Sequence, residues 1–144
     1  MFGNAFEGDR VRKAFARMIE FAKAQNIFAK GTLFGMSIDD PTVTPKQLYR
    51  YEVCFATDAP FVCSPGIATL KLPARSYAST RINGDLRVVG AAWDYLFRDW
   101  LINSKIEPAH APAFEIFLNK ERALDWSNFE LELCVPVSPL QRAV

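Results

Sequence analysis

The chain repeats itself, and this restricts its fold more than any other feature. Tyr51-Glu52-Val53-Cys54-Phe55 resembles Leu131-Glu132-Leu133-Cys134-Val135, 80 positions further on. The same shift carries Phe34 onto Phe114, Phe15 onto Tyr95 and Phe21 onto Leu101. A helix-strand-strand unit thus occurs twice, over about 1–57 and 66–137, and the second copy has an additional strand ahead of its helix. Moved back by 80, most of that strand falls before Met1, so the first copy lacks it. Two such units bury their apolar faces best by sharing one sheet, which leaves a cleft along the pseudo-twofold junction. At 144 residues the pair fits one domain. The expected class is α+β: duplicated strand-helix-strand-strand modules, a mainly antiparallel sheet, two long helices and a central cleft, with the first strand of the first module missing.

Apolar periodicity supplies the elements. Val11, Ala14, Phe15, Met18, Phe21 and Ala22 form one stripe, predicting a helix from Asp9 to about Gln25 with Asp9 as N-cap. Leu86, Val89, Trp93, Leu96, Phe97, Trp100 and Leu101 predict a second helix over Leu86–Ile102, capped by Asp85 after the Asn83-Gly84 turn. Strands are expected at Thr32–Ile38, Leu48–Thr57, Gly66–Ile82 as one strand interrupted at Pro73 or as two short ones, Pro112–Asn119 and Phe129–Val137. Asp39-Asp40-Pro41 reads as a turn.

Several function classes drop out early. Seventeen basic residues against sixteen acidic ones give a net charge of +1, which leaves no footprint for nucleic-acid phosphates and no polybasic address for a membrane. The longest apolar run, Val88–Trp93, is too short to cross a bilayer, and the first ten residues do not read as a secretory signal. Three cysteines without Cys-x-x-Cys spacing argue against a disulfide framework or a zinc site and suit a reducing cytoplasm. No phosphate-cradling glycine loop, H-E-x-x-H motif or metal cluster is present, so neither cofactor nor metal is expected. The lone histidine, His110, lies in the proline-flanked loop 108–112 and reads as a surface residue; Cys54 and Cys134 read as inert buried thiols.

One residue stands out. The strands at Thr32 and Pro112 align by the repeat, and Phe34, Met36, Ile38, Phe114, Ile116 and Leu118 are expected to face the helices. The opposite faces then carry Leu33, Gly35 and Ser37, and Ala113, Glu115 and Phe117. Glu115 is a carboxylate in an otherwise apolar strand, and its counterpart is Gly35, which has no side chain. In apolar surroundings an ionised Glu115 needs a protein cation such as Arg50 or Arg75, solvent, or a bound cationic ligand. Trp93, Tyr51 and Tyr77 suit either core packing or a ligand wall. Trp126, in the loop before the last strand, suits either a lid or surface packing.

These stretches, in their order and spacing, resemble the GyrI-like (gyrase-inhibitor-like) effector-binding family, the ligand-sensing domain of many AraC/XylS- and MerR-type regulators. The matching segments are Gly35–Pro41, Arg50–Cys54, Leu72–Ala78, Ala92-Trp93 through Trp100-Leu101, Pro112–Phe117 and Leu131–Val137. The resemblance implies a central ligand cleft in which an acidic residue in the Pro-x-Phe-Glu strand, here Glu115, meets cationic aromatic ligands, with rings around it supplying cation–π contact. Ala74 stands where the family commonly has Gly, Glu52 where Asp is usual, and Ile38 and Phe117 where tyrosines are common. The reading that follows is a stand-alone module for amphipathic or aromatic, cationic small molecules, with Glu115, Trp93, Tyr51, Phe117, Gly35, Tyr77 and Trp126 as ligand-binding residues. It binds no nucleic acid directly, and the unpaired strand edge leaves room for a homodimer. Two alternatives stand beside it: a hydrolase of strained electrophilic small molecules with Glu115 as base or nucleophile, and a protein-interaction role such as gyrase binding.

Overall fold

The computed structural model describes residues 5–39 and 43–139; the expected turn at Asp40-Pro41 lies outside them. Helix α1 (Ala5–Ala24) leads into strands β1 (Gly31–Ser37) and β2 (Tyr51–Thr57). Strand β3 (Ser76–Gly84) precedes α2 (Leu86–Tyr95), which continues through a π turn (Leu96–Trp100) into α3 (Leu101–Ser104). Strands β4 (Ala113–Phe117) and β5 (Phe129–Val137) complete the chain. All pairings are antiparallel and the sheet order is β2-β1-β4-β5-β3. This is the expected α+β architecture.

The register confirms the repeat at the level of single residues. Phe34 pairs with Cys54 in the first hairpin, and Phe114 with Cys134 in the second, each partner displaced by 80. At the junction β1 lies beside β4, and Gly35 pairs with Glu115 itself. The pseudo-twofold axis therefore passes between these two positions. In the second unit β3 pairs along the outer side of β5; among the described residues no strand does so for β2.

Several expectations need correction. Helix α1 begins at Ala5, so Asp9 is an interior residue and not a cap; nothing in the Ala5–Gly8 stretch stops the helix from extending upstream. Asp85 does cap α2, accepting from the Val88 amide at 3.1 Å. Gly66–Ile82 is not a strand through its length: pairing starts at Ser76, past Pro73, which has no amide to donate. The two strand faces are also exchanged. Leu33, Phe117, Leu131, Leu133 and Val135 pack with Phe15, Val89 and Trp93, so the face bearing Gly35 and Glu115 meets the helices. Phe34, Met36 and Phe114 lie on the opposite face, where Phe34 and Met36 are nonetheless buried. Both faces of the central strands being apolar, alternation alone did not identify the side that the helices choose.

The helices depart from the common shift. Phe15 is fully buried whereas Tyr95 is 55% exposed. The packed stripe Val11, Phe15, Met18 corresponds instead to Val89, Trp93, Leu96, 78 positions on. The left-handed residues that end the helical segments, Asn26 (φ 58°) and Lys105 (φ 60°), are 79 apart. The π turn supplies one additional residue and the following loop another, restoring 80 by the strands. Trp93 is thus the structural counterpart of Phe15.

Candidate functional site

Beside the axis, β1 and β4 carry pairs of very different size. Ser37 pairs with Ala113, and two small side chains leave space there. At the other end Leu33 and Phe117 fill the equivalent volume, with Phe15 against Phe117 at 4.8 Å between ring centroids. The space above Ser37 and Ala113 is a cleft of about 500 Å³. Trp93 and Phe97 form one wall, their rings stacked at 5.6 Å and 20°. The loop 108–112 with His110, and Val135 and Pro136 of β5, form another, while Ile38, Asp39 and Tyr49 stand at its edge. A largely apolar hollow of this size with a few polar groups is the ordinary form of a small-molecule site.

Glu115 lies beneath this wall. It is 1% exposed and turned towards the helices. The Tyr51 hydroxyl donates to its Oε1 at 2.8 Å, and the Trp93 indole N–H donates to its Oε2 at 2.8 Å. Burial pushes the Glu115 carboxyl above its ordinary value, while the bonds from Trp93 and Tyr51 pull the other way by favouring the charged form. Burial, and then the neighbouring Glu115 charge, drives the Tyr51 phenol well above its usual range, so it remains a donor.

Gly35 explains how Tyr51 reaches the carboxylate. A Cβ at position 35 would lie 1.4 Å from the Tyr51 hydroxyl oxygen. The ring therefore crosses the bare backbone of β1 to a residue of β4. Its counterpart in β5, Leu131, stays in the core.

The structure brings Glu115, Trp93, Tyr51 and Gly35 together and sets Phe117 one step along β4, in the filled end. Tyr77 lies across the sheet, its ring 5.0 Å from Phe114. Trp126 packs against Phe129 at 5.7 Å, with the Arg12 guanidinium 4.5 Å above its ring. Neither touches the cleft. Arg50, considered as a partner for Glu115, instead forms a two-pronged pair with Asp39 at 2.8 and 2.9 Å, holding that carboxyl below its usual range. The sequence reading missed Ser37, Tyr49 and Phe97 as lining groups. Phe97 was visible as the residue one turn after Trp93; Tyr49, bonded to the Ser37 hydroxyl, had no signal. His110, expected at the surface, is exposed and also lines the cleft.

The arrangement is a ligand hollow on the axis of a duplicated α+β module, with a sheltered carboxylate behind an aromatic wall. Residues 3–138 match the family model of the GyrI-like small molecule binding domain, and the chain belongs to that family. It is 22% identical over 135 residues to the DNA gyrase inhibitor of Citrobacter rodentium (strain ICC168), covering 92% of this chain and 84% of that protein. It is 24% identical over 106 residues to the "Probable transcriptional regulator YgiV" of Escherichia coli (strain K12), covering 73% of this chain and 66% of the relative. A third similar protein, YosT of the SPbeta prophage of Bacillus subtilis (strain 168), is 24% identical over 99 residues, covering 69% of this chain and 66% of that protein. Among the described residues no helix is long and apolar enough to cross a membrane, and no group of three or more His, Cys, Asp or Glu stands ready to hold a metal ion.

Proposed function

We propose that the protein binds an aromatic or amphipathic cation in the cleft beside Trp93. The observation that carries this reading is the position of one side chain: the Trp93 indole is at once a wall of the 500 Å³ cleft and a donor to the buried Glu115 carboxylate. A flat ligand stacks on the Trp93–Phe97 pair. As it enters, the indole N–H gives way and the ligand's positive charge takes over the Glu115 oxygen. Tyr51 keeps hold of the other oxygen, and Gly35 keeps Tyr51 in reach. Ser37, Tyr49 and Asp39 meet the ligand's polar edge. Cation–π contact with the indole adds about 0.5–2 kcal/mol, more as water is excluded. Desolvation of the aromatic surface supplies most of the affinity, and the carboxylate supplies the preference for positive charge.

The test compares two dyes with the same xanthene ring: rhodamine 6G, a cation, and fluorescein, an anion. Quenching of protein fluorescence is expected with rhodamine and not with fluorescein. Glu115→Gln is expected to weaken rhodamine binding more than tenfold, since losing one partner of a buried charge pair costs about 3–5 kcal/mol. Equal affinity of wild type and variant for rhodamine would overturn the role of Glu115. Equal affinity of the wild type for both dyes would overturn the preference for cations.

A further inference from the structure

The phase of the β ladders shows which backbone groups the first unit leaves open. The Ile38 amide donates to the Arg50 carbonyl at 3.1 Å, and its counterpart, Leu118, donates to the Glu130 carbonyl at 3.0 Å. In an antiparallel pair this alternation continues along the strand. Even-numbered residues of β2 therefore turn their amides and carbonyls to β1, and Val53, Phe55 and Thr57 turn theirs outward. The corresponding groups of β5, on Leu133, Val135 and Val137, face the partners Thr80, Ala78 and Ser76 of β3. Among the described residues, the outward backbone groups of Val53, Phe55 and Thr57 meet no hydrogen-bond partner. The side chains above this edge are partly buried and apolar. An edge of this length and composition is a template for another strand.

We propose that the outer edge of β2 is the dimer interface of this protein, and that its occupant is β2 of a second copy in antiparallel pairing about a twofold axis. The ladder phase requires odd residues to meet odd residues. The alignment that overlaps all seven residues sets Val53 against Phe55 of the second copy, and Tyr51 against Thr57. The Val53–Phe55 pair and its symmetry mate each exchange two backbone bonds. Charge selects the same alignment. Arg50 then stands opposite Asp58 of the second copy, twice over, and Glu52 stands opposite Ala56. A shift that centres the pair on residue 52 sets Glu52 against its own copy and is disfavoured. Arg50 already holds Asp39 through Nε and Nη2, but its side chain is 70% exposed and its fork has a further nitrogen, Nη1, for the exposed Asp58 of the second copy. The product is one ten-stranded sheet with a cleft on each side of the new axis, so ligand binding and assembly use different parts of the fold.

The alignment makes a further statement that can be read chemically. Cys54 meets Cys54 of the second copy as a non-hydrogen-bonded pair, with Cα atoms about 4.5 Å apart, within the span of a disulfide. Copper(II)-phenanthroline in air, taking two electrons and two protons from the two thiols, is therefore expected to give a covalent dimer on non-reducing gels. The dimer should persist in Cys63→Ser and Cys134→Ser and vanish in Cys54→Ser. Sedimentation equilibrium of the untreated protein should show a dimer. Asp58→Arg, a surface change, should weaken it by about fivefold. Val53→Pro, which removes an outward amide together with a side chain packed on the core, should give a monomer that still shows the far-ultraviolet circular dichroism of the folded chain. A wild-type protein that stays monomeric at every concentration overturns the proposal. So does a dimer indifferent to both Asp58→Arg and Val53→Pro, which would place the interface elsewhere, and so does a dimer whose cross-link runs through Cys63.

Discussion

Replacing Trp93 with Phe isolates the hydrogen bond to Glu115 from the packing of the ring. The change removes the indole donor, 2.8 Å from Oε2, and keeps an aromatic ring beside Phe97. Lost packing costs about 1–2 kcal/mol and does not depend on pH. The bond to an ionised carboxylate contributes about 1.5–3 kcal/mol, against about 0.5–1.5 kcal/mol once the carboxyl is neutral. The variant should therefore lose about 1 kcal/mol more on the alkaline side of the folded-state titration of Glu115 than on its acid side. The sign follows from linkage. Burial raises the Glu115 carboxyl in the folded state above its ordinary 4.5. The folded chain then keeps a proton that the unfolded chain has released. Glu115's contribution to stability is complete below the unfolded value and is lost as pH rises through the folded one, with a limiting slope of about 1.4 kcal/mol per pH unit. Removing a donor that favours the charged form extends that loss to higher pH. Urea unfolding followed by circular dichroism at pH 5, 6, 7 and 8 measures this, with Glu115→Gln as the background that carries every other titration. A Trp93→Phe deficit that shrinks as pH rises would refute the reasoning. So would a wild type that gains stability relative to Glu115→Gln as pH rises.

Three further outcomes are expected. Gly35→Ala places a methyl group 1.4 Å from the Tyr51 oxygen, so the ring must leave Glu115; overpacking and the lost bond together should cost about 2–4 kcal/mol in chemical denaturation, and Tyr51→Phe should relieve little of the clash. Asp85→Ala removes the cap of α2 and should cost about 1 kcal/mol, read as a lower unfolding midpoint with an unchanged denaturant slope. Of the three thiols, exposed Cys63 should react first with a disulfide reagent at pH 8, while burial pushes Cys54 and Cys134 up to about 11 and slows them; a burst of two or three thiols would contradict this.

Much of this was legible in the residues. The 80-residue repeat gave both hairpins and their mutual register, and Glu115 opposite Gly35 marked the centre before any coordinate was known. The Asn83-Gly84-Asp85 signal placed the start of the second helix. Three things were hidden for physical reasons. The facing of β1 and β4 was reversed because both of their faces are apolar, and a period of two cannot choose between two buried sides. Phe15 was matched to Tyr95 and not to Trp93 because a π turn adds a residue without breaking the apolar stripe. The cleft depends on an end of the strand pair that is small by comparison with its counterpart, and only the register shows that Ser37 and Ala113 stand side by side.

The duplication also accounts for where the site must lie. On a pseudo-twofold axis the two equivalent positions face each other, so a carboxylate there would meet a second carboxylate if the units were alike, and two like charges at a buried site disfavour each other strongly. The chain breaks the symmetry at the axis and within one step of it. Gly35 stands against Glu115, so one charge is buried and not two. Tyr51 stands where the second unit has Leu131, and the hydroxyl it adds is spent on that charge. Trp93 stands where the first unit has Phe15, and the N–H it adds is spent likewise. Ser37 stands where the second unit has Phe117, and the volume it omits becomes the cleft. Each asymmetric choice either satisfies the single carboxylate or opens space beside it, whereas the symmetric positions, Phe34 with Phe114 and Cys54 with Cys134, lie on the other face of the sheet. Restoring symmetry therefore makes a combined prediction. Ser37→Phe should fill the cleft, abolish rhodamine binding and leave the Glu115 hydrogen bonds intact, so the pH dependence of stability survives while binding does not. If binding survived with the cleft filled, the ligand would be held elsewhere on the fold.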